Sequence, residues 1–418
     1  MLKFAKSLTA VKAGVRGRLV VLLLIFGLAP ALVLFGLLMS RQEFFQDAMS
    51  TRLEISSAQV NDTIDRNLFE RYGDVQAFGL NVAARDFANW SDPRPDNPLV
   101  GAMNGYVQGY GIYPLMLLLD LDGRVVAANS VDAAGGSVST EGLYGSSFAD
   151  ANWFKDALNG RFLNGENGFT GTAVGEPERE PVVAEVTGGD GFVIPFSAPV
   201  KDATGQTIAI WVNFADFALV EEIVAGAYAN LSAGGMPDAE LTLLDPQGLV
   251  LVDYDPAARG TSDVERDFNV IGQLNLAEKG VAAAENAVRG KAGVMVARHA
   301  RKQIDQVAGY SHSEGSQGYP GLGWSALVRA PVGEVFSVWD NLITTILTAL
   351  AVAAGLVLVG GWFFGSAIAR PVIAMTGAMG TLAKGDLDVE IPALGRTDEI
   401  GQMAAAVQVF KENAQEME

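Results

Sequence analysis

The chain has 418 residues, 49% hydrophobic and 18% charged, which suits folded cores and excludes a disordered or collagen-like chain. Its 48 acidic residues outnumber 29 basic ones, and the net charge of -19 has the wrong sign for a partner that must neutralise nucleic-acid phosphates. With no cysteine and only His299 and His312 for imidazole chemistry, disulfides, thiolate metal sites, iron–sulfur clusters and cysteine nucleophiles are excluded.

Residues 1–18 form a basic segment carrying Lys3, Lys6, Lys12, Arg16 and Arg18 with no acidic residue among them. Residues 19–40, LVVLLLIFGLAPALVLFGLLMS, follow without a charge. As a helix they extend about 33 Å, enough to cross a hydrocarbon core of roughly 30 Å. Ala29-Pro30-Ala31 fits a signal-peptide cleavage pattern, but the apolar run continues through Leu32 to Met39, so an uncleaved anchor is favoured. Basic flanks stay cytoplasmic, so both termini are expected inside and residues 41–340 outside. A second uncharged run, residues 341–369, supplies the return span. Trp339 and Trp362 suit its two interfaces, and Gly361 with Gly365 forms a small-xxx-small pair that allows close helix approach, a dimer contact included.

The segment between the spans holds 20 of the 29 basic and 40 of the 48 acidic residues. From Arg41 to about Phe87 it contains no proline, and Val60, Ile64, Leu68, Val75, Phe78 and Val82 recur at steps of three, four and seven, predicting a long amphipathic helix. The SDPRPDNP run ends it, and a shorter helix fits before Tyr110. LMLLLDLDGRVVAAN (115–129) then reads as a hairpin with Asp122-Gly123 at its turn. LTLLDPQGLVLVDYD (241–255) repeats it, with Asp245 and Gly248 where Asp120 and Gly123 stood. The polar-hairpin, strand and helix pattern of 196–223 likewise returns at 310–339 and leads into the second span.

Two such modules behind a long helix resemble the double Cache domain of bacterial receptors, over roughly 41–340. The resemblance implies an α+β fold with PAS-like antiparallel sheets, a distal module at about 88–225 and a proximal one at about 236–335. It also implies a small-molecule ligand in the distal module, lined by the segment holding Trp153 and Phe154, with Phe196, Lys201 and Asp202 as further contacts. Amino-acid-binding relatives carry an arginine two places before the tryptophan, which pairs with the ligand carboxylate. Here that position is Ala151, so the amino-acid site is expected to be absent.

Residues 370–418 begin with Pro371 at the membrane exit, followed by Ile373, Met375, Met379 and Leu382 at near-heptad spacing. Gly385, Asp386 and Leu387 open a non-helical connector ending at Pro392, and Asp398 and Glu399 start a second helix whose seam is Ile400, Met403, Val407 and Phe410. This pattern resembles a HAMP linker. Its exit helix resembles that of methyl-accepting chemotaxis proteins, which implies a homodimeric, two-span inner-membrane chemoreceptor acting on a chemotaxis kinase and adaptor. The helical hairpin such receptors need is missing, so a truncated receptor is expected; the front end of a histidine kinase or diguanylate cyclase, or a modulator without its own output, stays open.

No HExxH, GxxxxGK[ST] or GxSxG motif occurs, and no catalytic residue, metal or cofactor is expected. Ser311-His312-Ser313-Glu314 reads as a hydrophilic hairpin tip, His299 as part of an exposed basic cluster, and the aspartates Asp120, Asp122, Asp253 and Asp255 as turn formers.

Overall fold

The structure is a computed structural model that describes residues 15–416. Lys3, Lys6 and Lys12, which set the expected orientation, lie outside the described residues. Two units are present: Gln46–Ser337, and the segments on either side of it taken together.

Helix α1 (Val15–Met39) is followed by α2 (Gln42–Gly79), which buries Leu53, Val60, Ile64, Leu68, Tyr72, Val75 and Phe78 along one stripe. The stripe stops earlier than its sequence pattern. Val82 lies beyond the helix, in a short turn capped by Asn81, and is exposed.

The distal module continues with α3 (Pro98–Tyr110), β1 (Leu115–Leu119), β2 (Val125–Ala128), α4 (Asn152–Leu158), β3 (Ala173–Val174), β4 (Glu178–Arg179), α5 (Pro181–Thr187), β5 (Phe192–Lys201) and β6 (Thr207–Asp216). Its antiparallel sheet runs β2-β1-β6-β5-β3, with β4 also on β5. After α6 (Ala218–Ala233) the proximal module repeats the plan with β7 (Glu240–Leu244), β8 (Val250–Tyr254), α7 (Ala282–Val288), β9 (Gly293–Arg298), β10 (Asp305–His312) and β11 (Ser325–Pro331), ordered β8-β7-β11-β10-β9.

The repeat extends to individual hydrogen bonds. Asp120 Oδ1 accepts from the backbone N–H of Asp122 and Arg124, and Asp245 Oδ1 accepts from those of Gln247 and Leu249. Gly123 and Gly248 both turn at positive φ, +79° and +93°, where a side chain is strained. The Gly123 carbonyl then accepts from Phe148 N–H, and that of Gly248 from Leu276 N–H. Asp120 thus belongs to its turn and Asp122 pairs with Arg124, whereas Asp253 lies within β8 and pairs with Arg301, and Asp255 caps the next helical turn at Ala258 N–H and pairs with Lys302.

Both faces of each sheet are covered, which explains why β1 reads LMLLL without alternation. Met116 and Leu118 face a core that follows α2 through both modules, while Leu115, Leu117 and Leu119 face a second core under α4 and α5. In the proximal module Val307 faces the α2 core and Ala308 and Tyr310 face the core under α7. Helix α2 approaches β10 so closely that a Cβ on Gly309 would lie 2.1 Å from the Leu53 carbonyl carbon and 2.3 Å from Glu54 N. Neither backbone atom can yield without moving the helix, so Gly309→Ala is expected to cost about 1–3 kcal/mol and to lower the melting midpoint of the full chain by roughly 2–4 °C per kcal/mol. An unchanged midpoint would show that helix and sheet are not in this register.

The second unit contains α1 and α8 (Ser337–Leu382), the two helices among the described residues that are long and apolar enough to cross a membrane. Gly361 and Gly365 are buried, and a Cβ on Gly361 would lie 3.3 Å from Val20 Cγ2. Gly361 thus lies where the two spans of one chain approach, beside Val20 and Leu23. Trp339 is buried against Phe45, ring centroids 5.2 Å apart. Helix α8 continues unbroken through Pro371, and α9 (Glu399–Gln415) closes the chain.

Candidate functional site

The candidate ligand wall lies in the distal module, on the first turn of α4. Trp153 and Phe154 are both buried among Leu115, Val193, Val212 and Phe214, with the Trp153 ring edge-on to Phe214 at 5.3 Å. Ser197 on β5 donates its hydroxyl to the Trp153 carbonyl at 2.6 Å, and Trp153 Nε1–H donates to Glu180 Oε1 at 2.8 Å. Burial pushes the Glu180 carboxyl above its ordinary value, and the bond from Trp153 pulls it back. Ala151 is the residue before the helix and supplies no side-chain cap. In the proximal module the corresponding second and third positions of α7 are Ala283 and Ala284, so the aromatic wall is a distal feature.

The other three ligand candidates do not join this wall. Phe196 is buried on the opposite face of β5, with Phe192, Ile194 and Trp211 in the α2 core. Lys201 is exposed at the strand's end, and Asp202 forms the β5–β6 turn, its Oδ1 accepting from Thr204 Oγ1, Thr204 N–H and Gln206 N–H. Those bonds, Thr204 Oγ1 first, hold the Asp202 carboxyl below its ordinary value. Strand parity separates the sets: Val193 and Ser197 share a face with Trp153, whereas Phe196 has the other parity. Two cavities of about 560 Å³ each follow α2 instead. One is lined by residues including Arg52, Gln59, Glu222 and Asn230, the other by residues including Arg71, Asp74, Tyr110 and Phe169.

Two sequence expectations are overturned in the proximal module. His299 is not exposed: its ring is buried with Nε2 3.0 Å from Glu240 Oε1, and Nδ1 accepts from Lys302 N–H at 2.8 Å. Ser311-His312-Ser313-Glu314 is not a free hairpin tip. Asn61 Nδ2–H donates to Ser311 Oγ, Ser313 Oγ donates to Asp65, and His312 Nδ1 meets Ser325 Oγ at 3.0 Å. Ser311 and Ser313 are used by α2 residues and His312 by Ser325, so the four adjacent residues form no relay among themselves. The nearby α2 polar residues lie 250 positions away in sequence, a separation that hid them from a local reading.

The candidate converter lies after the second span. Pro371 sits within α8; Gly385 turns the chain at φ +92°; Asp386 Oδ1 accepts from Asp388 N–H; and the Leu387 carbonyl accepts from Gln415 Nε2–H at 3.0 Å. Lys411 Nζ donates to the Val389 carbonyl, so the connector is tied back to the far end of α9. Asp398 caps α9 at Gly401 N–H and pairs with Arg396, whose hydrogen bonds hold its carboxyl down at about 2. Glu399 is the first residue of α9. Within one chain the buried seam is Met375, Ala378, Ile391 and Ala404, with Ile400 and Val407 packed against it. Met379 and Met403, expected in that seam, are 38% and 51% exposed, and Ile373 and Phe410 are exposed with them. Half of the apolar pattern is therefore satisfied internally and half faces outward. Among the described residues no cluster of three or more His, Asp or Glu is placed to hold a metal ion.

Residues 363–416 match the HAMP domain family. Over 91 residues the chain is 32% identical to the Probable chemoreceptor y4sI of Sinorhizobium fredii, a match covering 22% of this chain and 12% of that protein. The matched stretch thus spans about an eighth of that curated relative's length. Among solved structures, the ligand-binding domain of the Pseudomonas fluorescens chemoreceptor CtaA, in complex with L-isoleucine, aligns at 13% identity with a TM-score of 0.45, covering 71% of this chain and 98% of that one. That of the Pseudomonas aeruginosa amino acid chemoreceptor PctB, in complex with L-Arg, aligns at 14% identity with a TM-score of 0.44, covering 69% and 97%.

Proposed function

We propose that this chain is the sensory part of a transmembrane chemoreceptor: an extracytoplasmic segment, residues 41–340, binds a small solute in its distal module, and a HAMP segment, 370–418, passes the bound state to a chemotaxis kinase and adaptor. The observation that carries the reading is the HAMP match directly after an apolar helix long enough to span a membrane. The duplicated sheets in front of it supply the sensor, and the last strand of the proximal module leads within a few residues into α8. A ligand acts through such an arrangement only by binding two states with different affinity. Both termini on the cytoplasmic side of a bacterial inner membrane follow from the basic N-terminal flank.

Trp153 and Phe154 are the proposed distal wall, with Glu180 as its ionisable group. Ala151 cannot provide the bidentate carboxylate clamp that an arginine would, so the solute is held without that pair, and common L-amino acids are expected to bind poorly.

The proposed receptor is a homodimer, because Met379, Met403 and Phe410 expose an apolar surface that a second HAMP segment would cover. The absence of native cysteine makes this testable by single-cysteine cross-linking in membranes. Met379→Cys is expected to cross-link between subunits, whereas Ala405→Cys, on another side of α9, is not. Equal yields at both positions would show that no defined pairing exists and would remove the converter from the reading.

A further inference from the structure

Beside α2, the proximal module encloses a cavity of about 290 Å³, separate from the distal wall. Asn61, Asp65, Ser311 and His312 line it, and Lys291 and Glu314 are among its exposed lining residues. Asp65 is 3% exposed, and its carboxylate accepts Ser313 Oγ–H at 2.8 and 2.9 Å and Gly315 N–H at 2.9 Å. Among the described residues it makes no ion pair, whereas buried carboxylates are ordinarily paired with a cation. Burial accordingly pushes the Asp65 carboxyl above its ordinary value.

We propose that this cavity is a second ligand site, which takes a small primary ammonium compound and sets its positive charge against Asp65. The Glu314 backbone N–H is among the groups that bond Asp65, but its side-chain carboxylate makes no hydrogen bond or ion pair among the described residues and offers a second negative charge to the same cation. Asp62, the remaining acidic lining residue, is already paired with Arg66 at 2.9 Å. Lys291, also without an ion pair among the described residues, opposes a second positive charge and so favours a monoamine over a diamine. The volume lies at the small end of the roughly 300–1,000 Å³ range of ligand pockets, which limits the compound to a few heavy atoms. Because the cavity is walled by α2 on one side and by β10 on the other, an occupant would join the two elements already linked by the Asn61–Ser311 and Asp65–Ser313 bonds. The site goes beyond the distal-ligand reading and does not depend on it.

The test is thermal unfolding of the full chain in lipid nanodiscs with ethanolamine as the probe, against sodium chloride at equal ionic strength and putrescine as the diamine. Ethanolamine should raise the midpoint saturably and putrescine should do so less; Asp65→Asn should abolish the shift. Should Asp65→Asn fail to fold, Glu314→Gln on the exposed lining should raise the half-saturation concentration several-fold, and Val82→Ala, an exposed position outside both sites, should leave it unchanged. A response no larger than that of salt, or one that survives both Asp65→Asn and Glu314→Gln, would overturn the proposal and leave a water-filled cavity.

Discussion

Glu240→Gln is expected to destabilise the proximal module by about 3–5 kcal/mol at neutral pH, the cost of leaving buried partners without their counter-charge. Glu240 opens β7 at 1% exposure. Its Oε1 lies 3.0 Å from His299 Nε2 and 3.6 Å from Arg329 Nη2, and its Oε2 accepts from Lys302 Nζ at 3.0 Å. Arg329 is itself buried, donating to Thr242 Oγ1. Burial alone would push the Glu240 carboxyl up, but Arg329, His299 and Lys302 outweigh it and hold the group well below its ordinary value of 4.5. A carboxyl depressed in the folded state contributes stability that is present above its unfolded pKa and is lost as pH falls toward the folded one. The gap between wild type and Glu240→Gln should therefore be full at pH 7 and narrow progressively below about pH 4.5. Denaturant unfolding at a series of pH values checks this; a gap that stays constant into acid would show that the carboxylate charge is not what holds the network.

Arg266→Ala should have an effect of similar size, again about 3–5 kcal/mol, for a different structural reason. Arg266 belongs to the proximal module but binds carboxylates of the distal one: Glu221 through two bonds of 2.8 and 2.7 Å, Asp190 at 2.8 Å and Asp216 at 3.2 Å. Its guanidinium also lies 5.4 Å from the centre of the Phe192 ring. Glu221 is buried, so truncating the arginine strands a desolvated charge between the modules. Arg266→Lys keeps the charge and loses the planar fork, so it should recover only part of the stability. Melting of the full chain should rank wild type above Arg266→Lys and Arg266→Ala lowest. Identical midpoints for all three would mean the modules do not depend on this contact.

The parts of the molecule governed by local spacing were legible in the sequence. Asp120-x-x-Gly123 and its repeat Asp245-x-x-Gly248 show their turns directly, because an aspartate side chain and a positive-φ glycine act within four residues. The stripe of α2 was legible for the same reason, up to the point where Asn81 captures the chain and Val82 turns outward. Features set by distant partners were not. His299 stands among Arg298, Arg301 and Lys302 and looks exposed, yet it is buried against Glu240, nearly sixty positions away. Asp65 and Ser313 are likewise joined only by the fold. Phe196 is the instructive intermediate: alternation along β5 already put it on the face opposite Val193 and Ser197, but only the position of α4 shows which face carries Trp153. In the HAMP segment, heptad spacing marked apolar positions without dividing them between an internal seam at Met375 and Ala378 and an outward surface at Met379 and Met403.

The receptor reading rests on a solute bound at the distal wall, and ligand-induced stabilisation of the full chain in nanodiscs addresses it directly. A library of small amines, organic acids, amino acids and nucleobases would be screened for compounds that raise the melting midpoint, since a ligand that binds only the folded state stabilises it by mass action. Each stabiliser would then be measured again with Trp153→Phe combined with Glu180→Gln, which keeps an aromatic ring in the core and removes the Nε1–H bond and the charge. The predicted result is at least one compound whose shift disappears in the double variant and persists in Asp65→Asn. No stabiliser at all, or stabilisers whose shifts all survive the loss of Trp153 and Glu180, would contradict a distal ligand site.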